Sequence, residues 1–170
     1  TMDLHANQIQ GFFDIPVDNL FAAPTFVQHI KKNIKSKNIV CVAPDVGGVE
    51  RARAVGKRLS ADLAIIDKRR SGPGKSEVMN VIGDVKNKIC VIFDDLVDSG
   101  GTIVNAASAL KKKGARDVYA YVVHGVFTGE AVKKINNSKI KKFVISNSIL
   151  NIKKIKKSKK FQVISVGTLF

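Results

Sequence analysis

Four stretches of this chain are apolar at consecutive positions instead of alternate ones: NIVCVAPD (38–45), ADLAIID (61–67), KICVIFDD (88–95) and DVYAYVVHGVF (117–127). A strand with one wet face alternates; a strand that is apolar throughout loses water on both faces. Helical patterns lie between them, in GGVERARAVGKRLS (47–60), GGTIVNAASALKKKGA (100–115) and TGEAVKKINNS (128–138). Further strands are expected near KKFVISNS (141–148) and FQVISVG (161–167), and EVMNVIGDV (77–85) alternates in the manner of a strand or ribbon. Buried strands separated by amphipathic helices predict an α/β fold: a mostly parallel twisted sheet flanked by helices on both faces. The length of 170 residues fits one domain over 1–170.

Charge and composition narrow the function classes. The net charge of +15 invites a polyanion as partner, yet the lysines are spread over HIKKNIKSKN, LKKKGARD and IKKIKKSKK, and aromatic residues make up only 6%. A nucleic-acid surface interleaves the two, so nucleic acid is not expected, while a small phosphate-rich substrate suits the same field. No apolar run approaches the roughly 18 residues that span a bilayer, and no signal peptide opens the chain, so a cytoplasmic location is the expectation. Cys41 and Cys90 each sit inside an apolar run with no metal-type spacing and read as buried small hydrophobes. The chain opens Thr1-Met2, which leads us to expect a piece of a longer protein.

In open parallel sheets, ligands bind beyond the carboxyl ends of the strands. Three strand ends here carry polar groups: Asp45-Val46-Gly47-Gly48, Asp67-Lys68-Arg69-Arg70 and Asp94-Asp95. The loop KRRSGPGKS (68–76) contains Gly-Lys-Ser, but a P-loop would need glycine at position 69, which is Arg69. IFDDLVDSGGTI is more informative. Ser99, Gly100, Gly101 and Thr102 join a strand to a helix, where successive N–H groups and hydroxyls make an anion site. Asp94 and Asp95 would face the other end of the same ligand, because carboxylates accept from a vicinal diol. A metal site, or an Asx-type turn capping the helix, accounts for the acids in other ways.

FDDLVDSGGT resembles the phosphoribosyl-binding motif of type I phosphoribosyltransferase folds. TMDLHANQIQGFFDIPVDNL (1–20), VAPDVGGVERARAVGKRL (42–59) and AIIDKRR (64–70) are similar to ribose-phosphate pyrophosphokinase, the phosphoribosyl pyrophosphate synthetase family. The resemblance runs nearly end to end but covers only the second, C-terminal half of that two-domain enzyme. It implies transfer of the diphosphate of ATP to the anomeric hydroxyl of ribose 5-phosphate, giving phosphoribosyl pyrophosphate and AMP with Mg2+, in nucleotide biosynthesis. It also implies a homo-oligomer, a dimer or hexamer of the full-length chain, and a fragment that lacks much of the ATP site.

Residue by residue, the resemblance implies Lys68 and Arg70 as the catalytic basic pair, with Gly72 and Gly74 making their loop mobile. Arg70, Asp94, Asp95, Asp98, Ser99, Gly100, Gly101 and Thr102 would bind ribose 5-phosphate, and His5 and Asp45 the metal. Gln10, Asp18 and Asn19 match positions that bind a regulatory phosphate or ADP. Ser99 stands where the motif carries Thr, and Asn7 where several relatives have Ser. Other readings are a base-specific phosphoribosyltransferase, for which no nucleobase hood is visible, and a non-catalytic regulatory or associated subunit.

Overall fold

The structure, a computed structural model, describes residues 1–69, 78–150 and 152–170. A 3-10 turn at Asn7–Phe12 precedes α1 (Ala23–Asn33), β1 (Ile39–Ala43), α2 (Val49–Leu59), β2 (Asp62–Arg69) and β3 (Val78–Ile82). Then follow β4 (Ile89–Val97), α3 (Gly101–Lys112), β5 (Asp117–Gly125), α4 (Ala131–Asn136), β6 (Lys142–Ser146), α5 (Ile152–Ile155) and β7 (Phe161–Ile164). The described strands form one seven-stranded sheet in the order β3-β2-β1-β4-β5-β6-β7. Every neighbouring pair is parallel except β2 with β3.

The consecutive apolar residues feed two cores, one on each face. Val40, Val42, Cys90, Ile92, Val118, Ala120 and Val122 pack with Ile103, Ala106, Ala107 and Leu110 of α3 and Ile135 of α4. The intervening residues Cys41, Ala43, Val91, Phe93, Tyr121 and Val123 pack with Phe26, Val27 and Ile30 of α1 and with Ala52 and Val55 of α2. This period-two division is why the strands show no polar alternation. Both cysteines are free and fully buried, and burial pushes each thiol up to about 12. Such thiols are chemically quiet.

One boundary differs from the sequence reading. The sequence pattern places residues 68 and 69 in a loop, but β2 continues through them, with Lys68 opposite Met79 and Arg69 opposite Val78 in the antiparallel register. Ladder pairing with β3 outweighs the breaker signal of the glycines and proline downstream. Arg70, Gly72 and Gly74 lie outside the described residues.

The sheet also fixes where a ligand can bind. From β1 the chain moves outward to β2 on one side, then returns to β4 on the other. The carboxyl ends of β1 and β4 therefore diverge at a switch point, where such sheets leave a crevice. Among the described residues, no helix is long and apolar enough to cross a membrane.

Candidate functional site

The crevice holds a cavity of about 460 Å³ lined by His5, Asp45, Asp94, Asp95 and residues 98–102. Segments far apart in sequence meet there: the N-terminal stretch, the loop after β1, the end of β4 and the start of α3. Gly100 adopts φ +77° immediately before α3, and no side chain caps that helix. A residue with a Cβ is strained in that conformation, so glycine permits the turn. The first-turn amides of α3 are thus offered to an anion. Lys68 reaches the same loop, its Nζ donating to Thr102 Oγ1 at 3.3 Å. The strand position of Lys68 brings its ammonium to the wall of this cavity at Thr102.

At the other end stand the acids. Asp94 is mostly buried; loss of hydration, then a side-chain hydrogen bond with Asp95 and the charges of Asp95 and Asp45, push its pKa up to about 7. Burial also acts to raise Asp95, but the His5 hydrogen bond and the Arg51 charge outweigh it and hold Asp95 below the ordinary range. The Asp95 N–H donates to Asp94 Oδ1 at 3.0 Å. Asp95 Oδ2 lies 2.8 Å from His5 Nδ1, and Asp95 Oδ1 lies 3.6 Å from a guanidinium nitrogen of Arg51. Asp45 Oδ1 accepts from the Gly48 N–H at 3.0 Å, closing the turn into α2.

The metal positions can be tested against this geometry. Among the described residues, no group of three or more His, Cys, Asp and Glu side chains is placed to hold a metal ion. His5 and Asp45 share the cavity, but His5 turns Nδ1 to Asp95. One carboxylate beside an anion loop fits magnesium, which uses one or two carboxylates and completes its shell with water and substrate phosphates.

The regulatory positions form no single cluster. Gln10 Nε2 donates to the Asn7 carbonyl at 3.2 Å, and Asn19 Nδ2 to Asn7 Oδ1 at 3.4 Å. Asn19 also lines an adjoining cavity of about 580 Å³ with Asn7, Arg51 and Arg58, which shares His5 with the crevice. Asp18 is exposed and lines a different apolar hollow with Phe13, Ile15 and Val17.

Asp3 and Arg51 escaped sequence reasoning. Asp3 is 3% exposed and accepts from the Ala22 N–H at 2.7 Å. Arg51 lies between Asp3 and Asp95. One signal was present: a cation in the first turn of a helix opposes the helix dipole and calls for a nearby anion.

Comparison with known proteins bears on this arrangement. The family model described as phosphoribosyl synthetase-associated domain matches residues 70–170, more than half of the chain. The chain belongs to this family. Among curated relatives, the ribose-phosphate pyrophosphokinase of Bradyrhizobium diazoefficiens is 55% identical over 169 residues, covering 99% of this chain and 53% of the relative. The enzyme of the same name from Brucella melitensis is 56% identical over 169 residues, covering 99% and 54%. This member of the phosphoribosyl synthetase-associated domain family thus spans about half the length of the curated relatives it matches.

The crystal structure of phosphoribosylpyrophosphate synthetase from Mycobacterium smegmatis superposes with a TM-score of 0.90 at 35% identity, over 99% of this chain and 54% of that one. A purine phosphoribosyltransferase from Pyrococcus horikoshii, 23% identical, covers 64% of this chain and 74% of its own at a TM-score of 0.52, a likeness of fold alone. The fold is type I phosphoribosyltransferase-like.

Proposed function

We propose that the chain is the C-terminal domain of a ribose-phosphate pyrophosphokinase. In the full-length protein, the anomeric hydroxyl oxygen of ribose 5-phosphate attacks the β-phosphorus of ATP. The bond from that phosphorus to the α-phosphate oxygen breaks, and AMP leaves while phosphoribosyl pyrophosphate forms. One observation supports this reading most: a single crevice holds an uncapped helix start and a carboxylate at the far end, and Lys68 donates to Thr102 on its wall.

That geometry supports the following roles. The α3 amides with Ser99 and Thr102 hold the 5-phosphate, and Asp94 accepts from the ribose hydroxyls. Lys68 stabilises charge on the transferring diphosphate, since phosphoryl transfer depends chiefly on positioning and electrostatics. Magnesium, when bound, neutralises phosphate charge; Asp45 would hold it through oxygen, with His5 beside it. Arg70 is proposed as the second basic group. The missing half supplies much of the ATP site, and the full-length protein acts as a homo-oligomer.

The test is magnesium-dependent AMP formation from ATP and ribose 5-phosphate by the full-length protein. Lys68→Ala should lower turnover by about 10²-fold or more, by analogy with loss of one electrostatic donor, with ribose 5-phosphate binding little changed. Unchanged turnover would remove Lys68 from the chemistry. The family description also allows an associated, non-catalytic subunit; absence of AMP formation by the full-length protein would favour it.

A further inference from the structure

Asp94 and Asp95 are neighbours in sequence at the end of β4, where the pleat carries them toward different helical layers while both still border the one cavity. Asp94 continues the series Cys90 and Ile92, which belongs to the core beneath α3. Asp95 continues Val91 and Phe93, in the core beneath α1 and α2. On that second face Asp95 is 4% exposed, and both of its oxygens are engaged. Oδ2 meets His5 Nδ1 at 2.8 Å and Oδ1 meets Arg51 at 3.6 Å. Arg51 Nε lies 3.8 Å from Asp3 Oδ1, and the other oxygen of Asp3 accepts from the Ala22 N–H at 2.7 Å.

A sugar hydroxyl would have to compete with His5 and the half-buried Arg51 to reach the buried Asp95. His5 has the opposite situation: its side chain is 85% exposed, so little besides Asp95 restrains the ring. A carboxylate bonded to one imidazole nitrogen sets which nitrogen carries the proton, and thereby what the other can do.

We propose that Asp95 is a positioning residue and not a sugar ligand: anchored by Arg51 and Asp3, it keeps the His5 proton on Nδ1 and leaves Nε2 with a free lone pair. The two acids of the motif then do separate work, Asp94 on the ligand and Asp95 on the histidine. Only the use of that lone pair, toward a cation or a metal-bound water, rests on the proposed function; the tautomer does not.

The decisive variant is Asp95→Asn. Arg51 demands an acceptor, so the amide oxygen turns to Arg51 and the amide NH₂ faces His5, moving the imidazole proton to Nε2. The readout is the 15N spectrum of the ring nitrogens in the full chain labelled with 15N-histidine, with His5 assigned through His5→Gln. The wild type should show a protonated Nδ1 and an unprotonated Nε2, and Asp95→Asn the reverse. Arg51→Met leaves Asp95 in place and should average the two ring nitrogens, while Arg51→Lys should restore the wild-type pattern.

Ribose 5-phosphate titration supplies the second arm. Asp94→Asn should weaken binding about tenfold or more, as expected for a lost charged acceptor, and Asp95→Asn by no more than about twofold. An unaltered tautomer in Asp95→Asn, or a sharp wild-type pattern in Arg51→Met, would overturn the proposal. So would a binding loss in Asp95→Asn equal to that in Asp94→Asn. If neither variant bound less tightly while the tautomer reversed, the positioning role would stand and the sugar assignment would fall.

Discussion

A carboxylate that ends an apolar strand loses hydration on folding, and Asp94 shows the result in a pKa raised to about 7. Its folded value exceeds the unfolded one, so the folded state favours the proton. That contribution is fully present below the ordinary carboxylate range and is lost as pH rises through about 7. Asp94→Asn mimics the protonated form. It should flatten this part of the stability profile and leave the ligand-free protein more stable above neutrality, while binding ribose 5-phosphate more weakly. Urea denaturation across the pH range is the measurement, and an undiminished slope in the variant would refute the argument. At this scale the sequence made the acids visible as a cluster, because their spacing is local. It concealed the division between Asp94 and Asp95, which depends on the partners that α2 and the N-terminal stretch bring in from far away. Asp3 was invisible for the same reason, and Arg51 showed only as a cation at the wrong end of a helix: their meaning lies in a contact, not in a neighbourhood.

Strands and helices were more legible, since an apolar run buried on both faces and a lysine-edged amphipathic helix leave periodic marks in a single segment. The end of β2 was not. Pairing with β3 is a long-range event, and it converted residues 68 and 69 from an expected loop into a ladder that aims Lys68 at Thr102. Gly100 shows the same interplay from the other side. Its φ of +77° makes the turn into α3, and an added Cβ would lie 3.4 Å from two side-chain carbons of Ile135 on α4. Gly100→Ala should cost about 1–2 kcal/mol from the left-handed backbone alone. It should also weaken ribose 5-phosphate binding by reorienting the first amides of the helix. Chemical denaturation and titration of the same variant test both; a loss of stability with intact binding would mean that the amides are not the phosphate cradle.

For the molecule as a whole, the excess of lysine could be mistaken for a nucleic-acid address. A stripe would be needed for that, and the fold distributes the cations: Lys31 and Lys32 close α1, Lys111 and Lys112 close α3, and Lys133 and Lys134 close α4. Each pair complements a helix carboxyl end. Several other lysines are spent internally, as where Lys160 donates to the carbonyls of Ile135, Asn136 and Ser138 at 3.1, 2.8 and 2.9 Å. Generic duplex DNA should therefore show no measurable binding at moderate salt in a fluorescence anisotropy titration, and a steep salt-dependent isotherm would revive the nucleic-acid reading. The two-faced sheet has one more consequence, and it concerns inheritance. Because Asp94 and Asp95 owe their different tasks to the parity of their positions along β4, a substitution among the apolar residues before them changes packing, whereas gain or loss of a single codon there exchanges the two acids. Lineages carrying this strand should accept apolar exchanges of similar volume in it and changes of length almost never.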